Sequence, residues 1–327
     1  MIYIPPFLKL IEDDIKSVED ILSSDLLAAV RTVDQVSREI VQAGGKRLRA
    51  SLVILSANSV VGEFDRERLL RIAACMEIAH MATLMHDDVV DEADSRRGRT
   101  TANVRWGNQV SVLSGDYMVA KVFSILAQDG DPEVMRALSD ATVSMTEGEL
   151  RQLESLNDIR AQIAQYPSLI KDKTAMFMSA CCKLGGVIAK SDGRTRESLA
   201  EFGMEFGMAF QITDDLLDLI GDPAQTGKPI GGDIREGKIT MPVIFALDKA
   251  NPSEAAEVER ILYSGAPTTS EIDFVRELAE RTGAIEQTRG SAAQFIRKAT
   301  DALSGLSASD ARDCLAELAE RILDRNF

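Results

Sequence analysis

Cysteine, histidine and basic residues are scarce in this sequence, and each shortage excludes a class of site. The 327 residues include 4 Cys and 2 His, and no two cysteines have the C-x-x-C spacing of a structural metal site. Lys and Arg number 37 against 52 Asp and Glu, a net charge of −15, so the basic stripe that nucleic acid needs is missing. An anionic substrate would therefore require local cations or a metal ion. The cysteines lie in apolar helical contexts, and we expect them to be reduced core residues: Cys75, Cys181, Cys182 and Cys314.

Long uncharged apolar runs are also missing. No stretch of about 18 uncharged apolar residues occurs, so we expect no transmembrane helix. Residues 1–13 lack a basic start followed by a long apolar run, so we expect no signal peptide and a cytoplasmic protein.

Strand-like alternation is absent, and helical periodicity is present along the whole chain. The few prolines fall between periodic segments. This pattern predicts an all-α fold with helices at about 6–22, 24–43, 46–60, 65–90, 109–128, 132–156, 160–191, 195–221, 239–249, 253–264, 269–281, 284–304 and 308–324. No linker divides the chain, so we expect residues 1–327 to form one domain, an antiparallel helix bundle around a central cavity.

An acidic motif, Asp87-Asp88-Val89-Val90-Asp91, closes an apolar helical run. Residues four apart lie on one face of a helix, so Asp87 and Asp91 point the same way. Clustered carboxylates without His or Cys suit Mg²⁺, which keeps several waters and shares phosphate oxygens with a substrate. The alternative interpretation is a solvated helix end, which is what most acidic runs are.

The same pattern recurs at Asp214-Asp215-Leu216-Leu217-Asp218 on a second apolar helix, which strengthens the metal interpretation. Basic residues follow each motif in glycine-containing segments. They are Arg96, Arg97 and Arg99 after the first motif, and Lys228 and Lys238 after the second. Two acidic clusters with two sets of cations indicate a site for diphosphates.

A third candidate segment is Gly44-Gly45-Lys46-Arg47-Leu48-Arg49. The glycine pair ends one helix and allows close approach of a ligand. Lys46 and Arg49 then share a face at the start of the next helix, with backbone N–H groups nearby, which is a suitable cradle for a diphosphate. An ordinary helix end with solvated basic residues fits this segment equally well.

Other residues are ambiguous by themselves. His80 lies two turns before Asp87 on the same face and is either a substrate contact or a core histidine, whereas His86 is offset from that face. Lys173 and Thr174 could reach a phosphate, although an exposed lysine is the simpler interpretation. Met118, Phe123, Met135 and Met145 are expected in the core. The polar helical segment 147–153 receives no chemical role from the sequence alone.

Five motifs in this order, between about residues 40 and 245, resemble the trans-type polyprenyl diphosphate synthases. They are Gly44–Arg49, Asp87–Asp91 with Arg96-Arg97-Gly98, Lys173-Thr174, Phe210–Asp218 and Gly237-Lys238. Each is weak alone, and the ordered set is highly specific. The string from His86 to Gly98 resembles the bacterial long-chain enzymes, such as octaprenyl or decaprenyl diphosphate synthases. One departure is Ala50, where the family commonly has proline.

The resemblance implies a role for each matching residue. Isopentenyl diphosphate would be bound by Gly45, Lys46, Arg49, His80 and Arg97. The allylic diphosphate would be bound by Arg96, Lys173, Thr174, Gln211, Lys228 and Lys238. Mg²⁺, as three ions with diphosphate bound, would be held by Asp87, Asp91 and Asp214, with Asp88, Asp215 and Asp218 in supporting or direct positions. A homodimer is implied, and peripheral membrane contact for product release is a further expectation.

The implied reaction begins with departure of diphosphate from the allylic substrate, stabilised by Mg²⁺ and cationic side chains. The double bond of isopentenyl diphosphate attacks the allylic cation, and a proton is lost, with the released diphosphate as the expected base. Ala79, Ala82 and Thr83 precede Asp87, where shorter-chain relatives commonly carry an aromatic. Their small side chains predict an open tunnel and a product of C30 or longer, for a quinone side chain.

Four alternatives remain at this level. A shorter-chain farnesyl or geranylgeranyl diphosphate synthase would use the same motifs. A class I terpene cyclase shares the metal chemistry but would not need Lys46, Arg49 and Arg97. A non-catalytic partner subunit would have eroded aspartates, whereas both motifs are complete. A purely structural helical scaffold would leave the paired acidic and basic motifs unexplained.

Overall fold

The structure is a computed structural model, and it describes residues 6–26, 29–96, 98–221 and 230–323. Helices account for nearly all of the regular structure, which confirms the all-α prediction. The α-helices of the described residues are α1 (Glu12–Asp25), α2 (Arg31–Gln42), α3 (Leu48–Asn58), α4 (Arg66–Val90), α5 (Ala102–Trp106), α6 (Asn108–Asp129), α7 (Pro132–Ser155), α8 (Ile159–Ile170), α9 (Met176–Ile188), α10 (Gly193–Ile220), α11 (Gly232–Arg235), α12 (Met241–Lys249), α13 (Pro252–Leu262), α14 (Thr269–Arg281), α15 (Ala284–Ala302) and α16 (Asp310–Glu320). Short 3₁₀ turns occupy Pro6–Ile11 and Leu303–Gly305.

The chain forms two compact units. The first comprises Met1–Ser139, Ala180–Ala200 and Leu303–Glu317, and the second comprises Asp140–Ser179, Glu201–Ala302 and Leu318–Phe327. The first acidic motif belongs to the first unit and the second motif to the second unit. A shared central cavity and a single domain therefore stay predictions.

In the first unit the core is built on α3 and α4. Leu52, Val53, Ile54 and Leu55 are fully buried, so α3 is covered on all sides, as expected for a helix that is apolar all round. Gly185 of α9 allows a close backbone approach, because a Cβ at this position would lie 2.5 Å from the carbonyl oxygen of Val53. Burial of each large aliphatic side chain contributes roughly 1.5–3 kcal/mol.

The second unit has its own core, which surrounds the end of α10. Leu216 and Leu219 of α10 pack with buried residues of α12, α13 and α14, including Val243, Val258 and Val275. A neighbouring cluster joins α8 and α10 through Tyr166, Ile170, Ala175, Met208 and Ile212. The acidic motif therefore lies in a part of α10 that is anchored on several sides.

The predicted helix 160–191 is wrong in one respect. It is interrupted by a π-helical turn at Lys171–Ala175, between α8 and α9. A π turn holds one residue more than the α-helical pattern, and Pro167 one turn earlier lacks the N–H of a regular helix interior. Apolar periodicity does not reveal such a local widening.

A two-stranded antiparallel hairpin was also not predicted. It pairs β1 (Ser95–Arg96) with β2 (Arg99–Thr100), directly after the first acidic motif. Gly98 has φ +71°, a left-handed conformation that glycine adopts without steric cost. The hairpin returns Arg96 towards the end of α4.

Helix α6 is the one described helix whose length and composition would allow it to cross a membrane. Of the residues in its most apolar stretch, 39% are buried. The core helix of a globular protein meets the same criteria. Met118 on this helix is buried as expected, but Phe123 is 52% exposed, so its predicted core position is wrong. Leu113 on the same helix is 63% exposed, and α6 thus carries apolar surface outward.

Candidate active site

The first acidic motif divides into outward and inward carboxylates. Asp87 is half-buried and Asp91 is exposed, whereas Asp88 is buried. Asp88 Oδ1 accepts a hydrogen bond from Arg96 Nε at 2.7 Å, and its backbone carbonyl accepts one from the Asn103 side chain at 3.0 Å. Asp88 therefore ties the hairpin to the end of α4, and Asp87 and Asp91 are the less buried carboxylates of the motif.

The second acidic motif shows the same division. Asp214 is exposed, and Asp215 is buried. The Tyr166 hydroxyl donates to Asp215 Oδ2 at 2.5 Å, and the Gln211 amide donates to Asp215 Oδ1 at 2.7 Å. Both oxygens of Asp218 accept backbone N–H groups, from Gly232 at 3.1 Å and from Asp233 at 3.0 Å. Asp215 and Asp218 thus support the motif, and Asp214 is its outward carboxylate.

Burial changes the acidity of this second cluster. Loss of solvent raises the pKa of Asp215 to about 7, although the hydrogen bonds from Tyr166 and Gln211 act in the opposite direction. Burial and the neighbouring Asp218 raise the pKa of Asp233 well above its usual range. A site with so much negative charge is stabilised by added cations.

Sequence reasoning missed Asp233. Its carboxyl lies near those of Asp218 and Asp215 and is influenced by Lys238. The available signal was the Gly231-Gly232-Asp233 sequence, where Gly231 has φ +76° and lets the chain turn back onto Asp218. Lys238 itself pairs with Glu236 at 2.5 Å.

The basic segment before α3 is held by buried ion pairs. Arg47 is 4% exposed, has φ +47° and contacts Glu19. Its guanidinium donates to the Val41 carbonyl at 3.0 Å and lies 3.8 Å from Glu77. Arg47 therefore stabilises the loop before α3. The sequence alone had not predicted this structural role for Arg47.

Glu77 corrects one part of the predicted cradle. Its Oε1 accepts the backbone N–H groups of Arg49 at 3.0 Å and Ala50 at 3.1 Å. These two amides at the start of α3 are consequently engaged by the protein's own carboxylate. The predicted phosphate contacts here fall to the side chains of Lys46, which is exposed, and Arg49, which is half-buried.

Lys173 and Thr174 lie within the π turn. The Lys173 ammonium contacts Glu149 at 2.7 Å and Gln152 at 3.1 Å. The Thr174 hydroxyl donates to the Gln211 side-chain oxygen at 2.7 Å. Because Gln211 also binds Asp215, one hydrogen-bonded chain connects three residues of the predicted allylic and metal sites in the second unit.

The remaining predicted residues divide between described and undescribed parts of the chain. His80 is half-buried on α4. His86 Nε2 lies 3.2 Å from the Val112 carbonyl and 3.4 Å from Asp116, so it contacts α6. Of the tunnel positions, Ala82 is buried, and Ala79 and Thr83 are half-buried. Arg97 and Lys228 lie outside the described residues.

The donor chemistry fits the predicted metal. Asp87, Asp91 and Asp214 offer hard carboxylate oxygens, which suit Mg²⁺. Within the described residues, no three His, Cys, Asp or Glu side chains are grouped to hold a metal ion.

Known proteins of one family match this chain along its length. The polyprenyl synthetase model matches residues 30–279. The octaprenyl diphosphate synthase of Escherichia coli (strain K12) is 34% identical over 318 residues, which cover 97% of this chain and 98% of that protein. A short chain isoprenyl diphosphate synthase of Methanothermobacter thermautotrophicus is 33% identical over 314 residues, which cover 95% and 93%.

A solved structure agrees. The polyprenyl synthase from Caulobacter crescentus CB15, complexed with calcium and isoprenyl diphosphate, matches with a TM-score of 0.93 at 34% identity, covering 98% of this chain and 97% of that one. Fold, motifs and similarity together define an isoprenoid-type prenyltransferase. The chain belongs to the polyprenyl synthetase family and is an enzyme of that class.

Proposed function

We propose that this enzyme condenses isopentenyl diphosphate with an allylic diphosphate and makes an all-trans polyprenyl diphosphate of C30 or longer. The observation that carries the proposal is the division within each acidic motif. Asp88 and Asp215 are buried, whereas Asp91 and Asp214 are exposed and Asp87 is half-buried, so these last three carboxylates are accessible to a metal ion. A divalent metal is also supported by the calcium complex of the Caulobacter relative.

Each group of residues has a separate task in the proposed reaction. Lys173, Thr174, Gln211 and Lys238, with Arg96 and Lys228, bind the allylic diphosphate as charge develops on it. Bound Mg²⁺ supplies further neutralisation of that leaving group. Lys46, Arg49 and His80, with Gly45 and Arg97, orient isopentenyl diphosphate so that its double bond faces the allylic carbon. The released diphosphate accepts the proton.

We infer that Asp87 and Asp91 in the first unit, and Asp214 in the second unit, are ligands of Mg²⁺. The apolar α4 below the first motif would exclude water, which would otherwise trap the cation. The half-buried Thr83 has a small side chain one turn before Asp87, which supports a tunnel without an aromatic plug.

We also infer a homodimer. Leu113 and Phe123 are more than half exposed and lie on one face of α6 with the exposed Ala120. This face also carries the exposed Asp116, and its apolar residues are suited to a self-complementary contact. Sedimentation of Phe123→Glu should show a shift towards monomer, whereas an unchanged sedimentation coefficient would contradict this interface.

The deciding experiment incubates the purified chain with Mg²⁺, isopentenyl diphosphate and farnesyl diphosphate, followed by mass spectrometry of the products. A ladder ending at C30 or longer is expected. A product that stops at C20 would support a shorter-chain synthase, since farnesyl diphosphate is itself C15. A hydrocarbon formed from farnesyl diphosphate alone would indicate a cyclase, and no product from the single chain would indicate a missing partner subunit.

A further inference from the structure

The polar segment of α7 that received no role from the sequence lies against the π turn. Gly148, Glu149, Arg151 and Gln152 each approach one of the residues between Lys171 and Ala175. This segment and the turn belong to the same compact unit. The contacts are therefore internal to the part of the chain that carries Lys173 and Thr174.

The turn is enclosed tightly on two sides. A Cβ at Gly207 of α10 would lie 2.5 Å from the Cα of Ala175. A Cβ at Gly148 of α7 would lie 3.2 Å from the Cβ of Asp172 and 3.4 Å from the backbone nitrogen of Lys173. Single π turns are rare in proteins, and those that occur are frequently found at functional sites. This turn is held in place by close packing against α7 and α10.

Polar contacts between α7 and Asp172 also fix the orientation of the turn. Arg151 lies 2.8 Å from Asp172 Oδ2, and the Ser144 hydroxyl donates to Asp172 Oδ1 at 3.0 Å. The Asp172 side chain is only 16% exposed, whereas Arg151 is 39% exposed. Because both oxygens of Asp172 are engaged by α7, the rotation of the turn about the helix axis is fixed.

We propose that Arg151 is a positioning residue for the allylic diphosphate, an inference that rests on the proposed function. Through Asp172 it sets the direction in which Lys173 and Thr174 leave the turn. Glu149 and Gln152 hold the Lys173 ammonium in that direction. When the diphosphate binds, the Lys173 side chain leaves Glu149 and forms an ion pair with the diphosphate. A surface ion pair without this role would contribute little beyond stability.

The test compares Arg151→Met and Arg151→Lys with Arg160→Met, which removes the same charge from the start of α8. Steady-state kinetics are measured with the allylic substrate and isopentenyl diphosphate varied separately. Arg151→Met should raise the KM for the allylic diphosphate about fivefold and leave the KM for isopentenyl diphosphate unchanged. Arg151→Lys, which can still reach Asp172, should fall between wild type and Arg151→Met, and Arg160→Met should match wild type.

Equal changes in both KM values, or none, in a folded Arg151→Met protein would overturn the inference. If thermal unfolding shows that this variant does not fold, Gly148→Ala decides, because its Cβ displaces the turn by only a few tenths of an ångström. It should raise the allylic KM alone by a smaller factor, and two unchanged KM values would overturn the inference. An inactive wild type would overturn the proposed function and this inference together, whereas an active one isolates the role of Arg151.

Discussion

The side-chain carboxylate of Glu77 accepts the backbone N–H of Arg49 at 3.0 Å. Glu77 lies on α4, the helix that ends in the first acidic motif, and Arg49 lies in the basic motif of α3. This bond fixes the start of α3 relative to α4. Two motifs assigned to different ligands are thereby held at a defined separation within one unit.

Replacement of Glu77 should therefore affect isopentenyl diphosphate selectively. Glu77→Gln keeps an oxygen for the two amides but removes the charge beside Arg47, so we expect stability to fall by about 1–3 kcal/mol. The KM for isopentenyl diphosphate should rise more than the allylic KM. Glu205→Gln, which removes a carboxylate 3.8 Å from Lys298, is the control in the same kinetic assay. Identical KM values in wild type and folded Glu77→Gln would contradict the assignment.

The tunnel positions predict a change in product length. Thr83→Phe places an aromatic ring at a half-buried position and should shorten the product, read by mass spectrometry or thin-layer analysis. Ala82→Phe should shorten it too, with a stability cost of about 1–3 kcal/mol because Ala82 is fully buried. Thr83→Val keeps the size of the side chain and should leave the product unchanged. Products of wild-type length from both phenylalanine variants would refute the open tunnel.

Tyr166 is predicted to stabilise the second acidic motif. Tyr166→Phe leaves Asp215 Oδ2 without its buried donor and should lower the free energy of unfolding by about 1–2 kcal/mol. The pKa of Asp215 should rise further, since the hydrogen bond from Tyr166 lowers it. Tyr263→Phe removes a hydroxyl at a residue that is 39% exposed and should have a smaller effect. Urea unfolding of both variants measures the two free energies of unfolding. Equal decreases in the two variants would contradict the prediction.

Two glycines should differ in their tolerance of alanine. A Cβ at Gly185 meets the backbone of α3, which cannot move aside, so Gly185→Ala should destabilise the protein by about 2–4 kcal/mol. A Cβ at Gly115 meets only the tip of the His86 side chain, at 2.3 Å from Nε2. That side chain can rotate, and alanine is the better helix former by about 1 kcal/mol, so Gly115→Ala should change stability little. Similar melting temperatures for the two variants would contradict this ranking.

The capping box of α14 predicts a pH dependence. The Thr268 backbone N–H, Arg260 and the Thr268 hydroxyl lower the pKa of Glu271 to about 2. A depressed pKa in the folded state gives stability above the ordinary value of 4.5, and this stability is lost as the pH falls towards 2. Urea midpoints should show wild type above Glu271→Gln at pH 7, with the gap closing in acid. Glu277→Gln, on the same helix, is the control, and a gap that is constant with pH would contradict the prediction.

The sequence was sufficient for the helical class, because apolar periodicity is a local property. Carboxylate spacing located the two acidic motifs, but it could not show that Asp88 and Asp215 are buried. Their burial accompanies hydrogen bonds from Arg96 and Tyr166, whose positions the spacing does not encode.

The contacts of Glu77, Arg47 and Arg151 could not be predicted, for a related reason. Each acts on a residue of another helix, through contacts that no spacing rule encodes. The π turn escaped because it widens one turn inside a pattern that remains apolar on both sides.

That widened turn has a consequence for how the gene can change. Lys171–Ala175 contains one amino acid more than a regular helical turn would need, and α8 and α9 continue on either side of it. Loss of a single codon there is expected to restore a continuous α-helix and to displace Lys173 and Thr174 from the positions on which the proposed function depends. The proposed diphosphate contacts of this segment thus depend on one inserted residue, whereas the helices on either side of it do not.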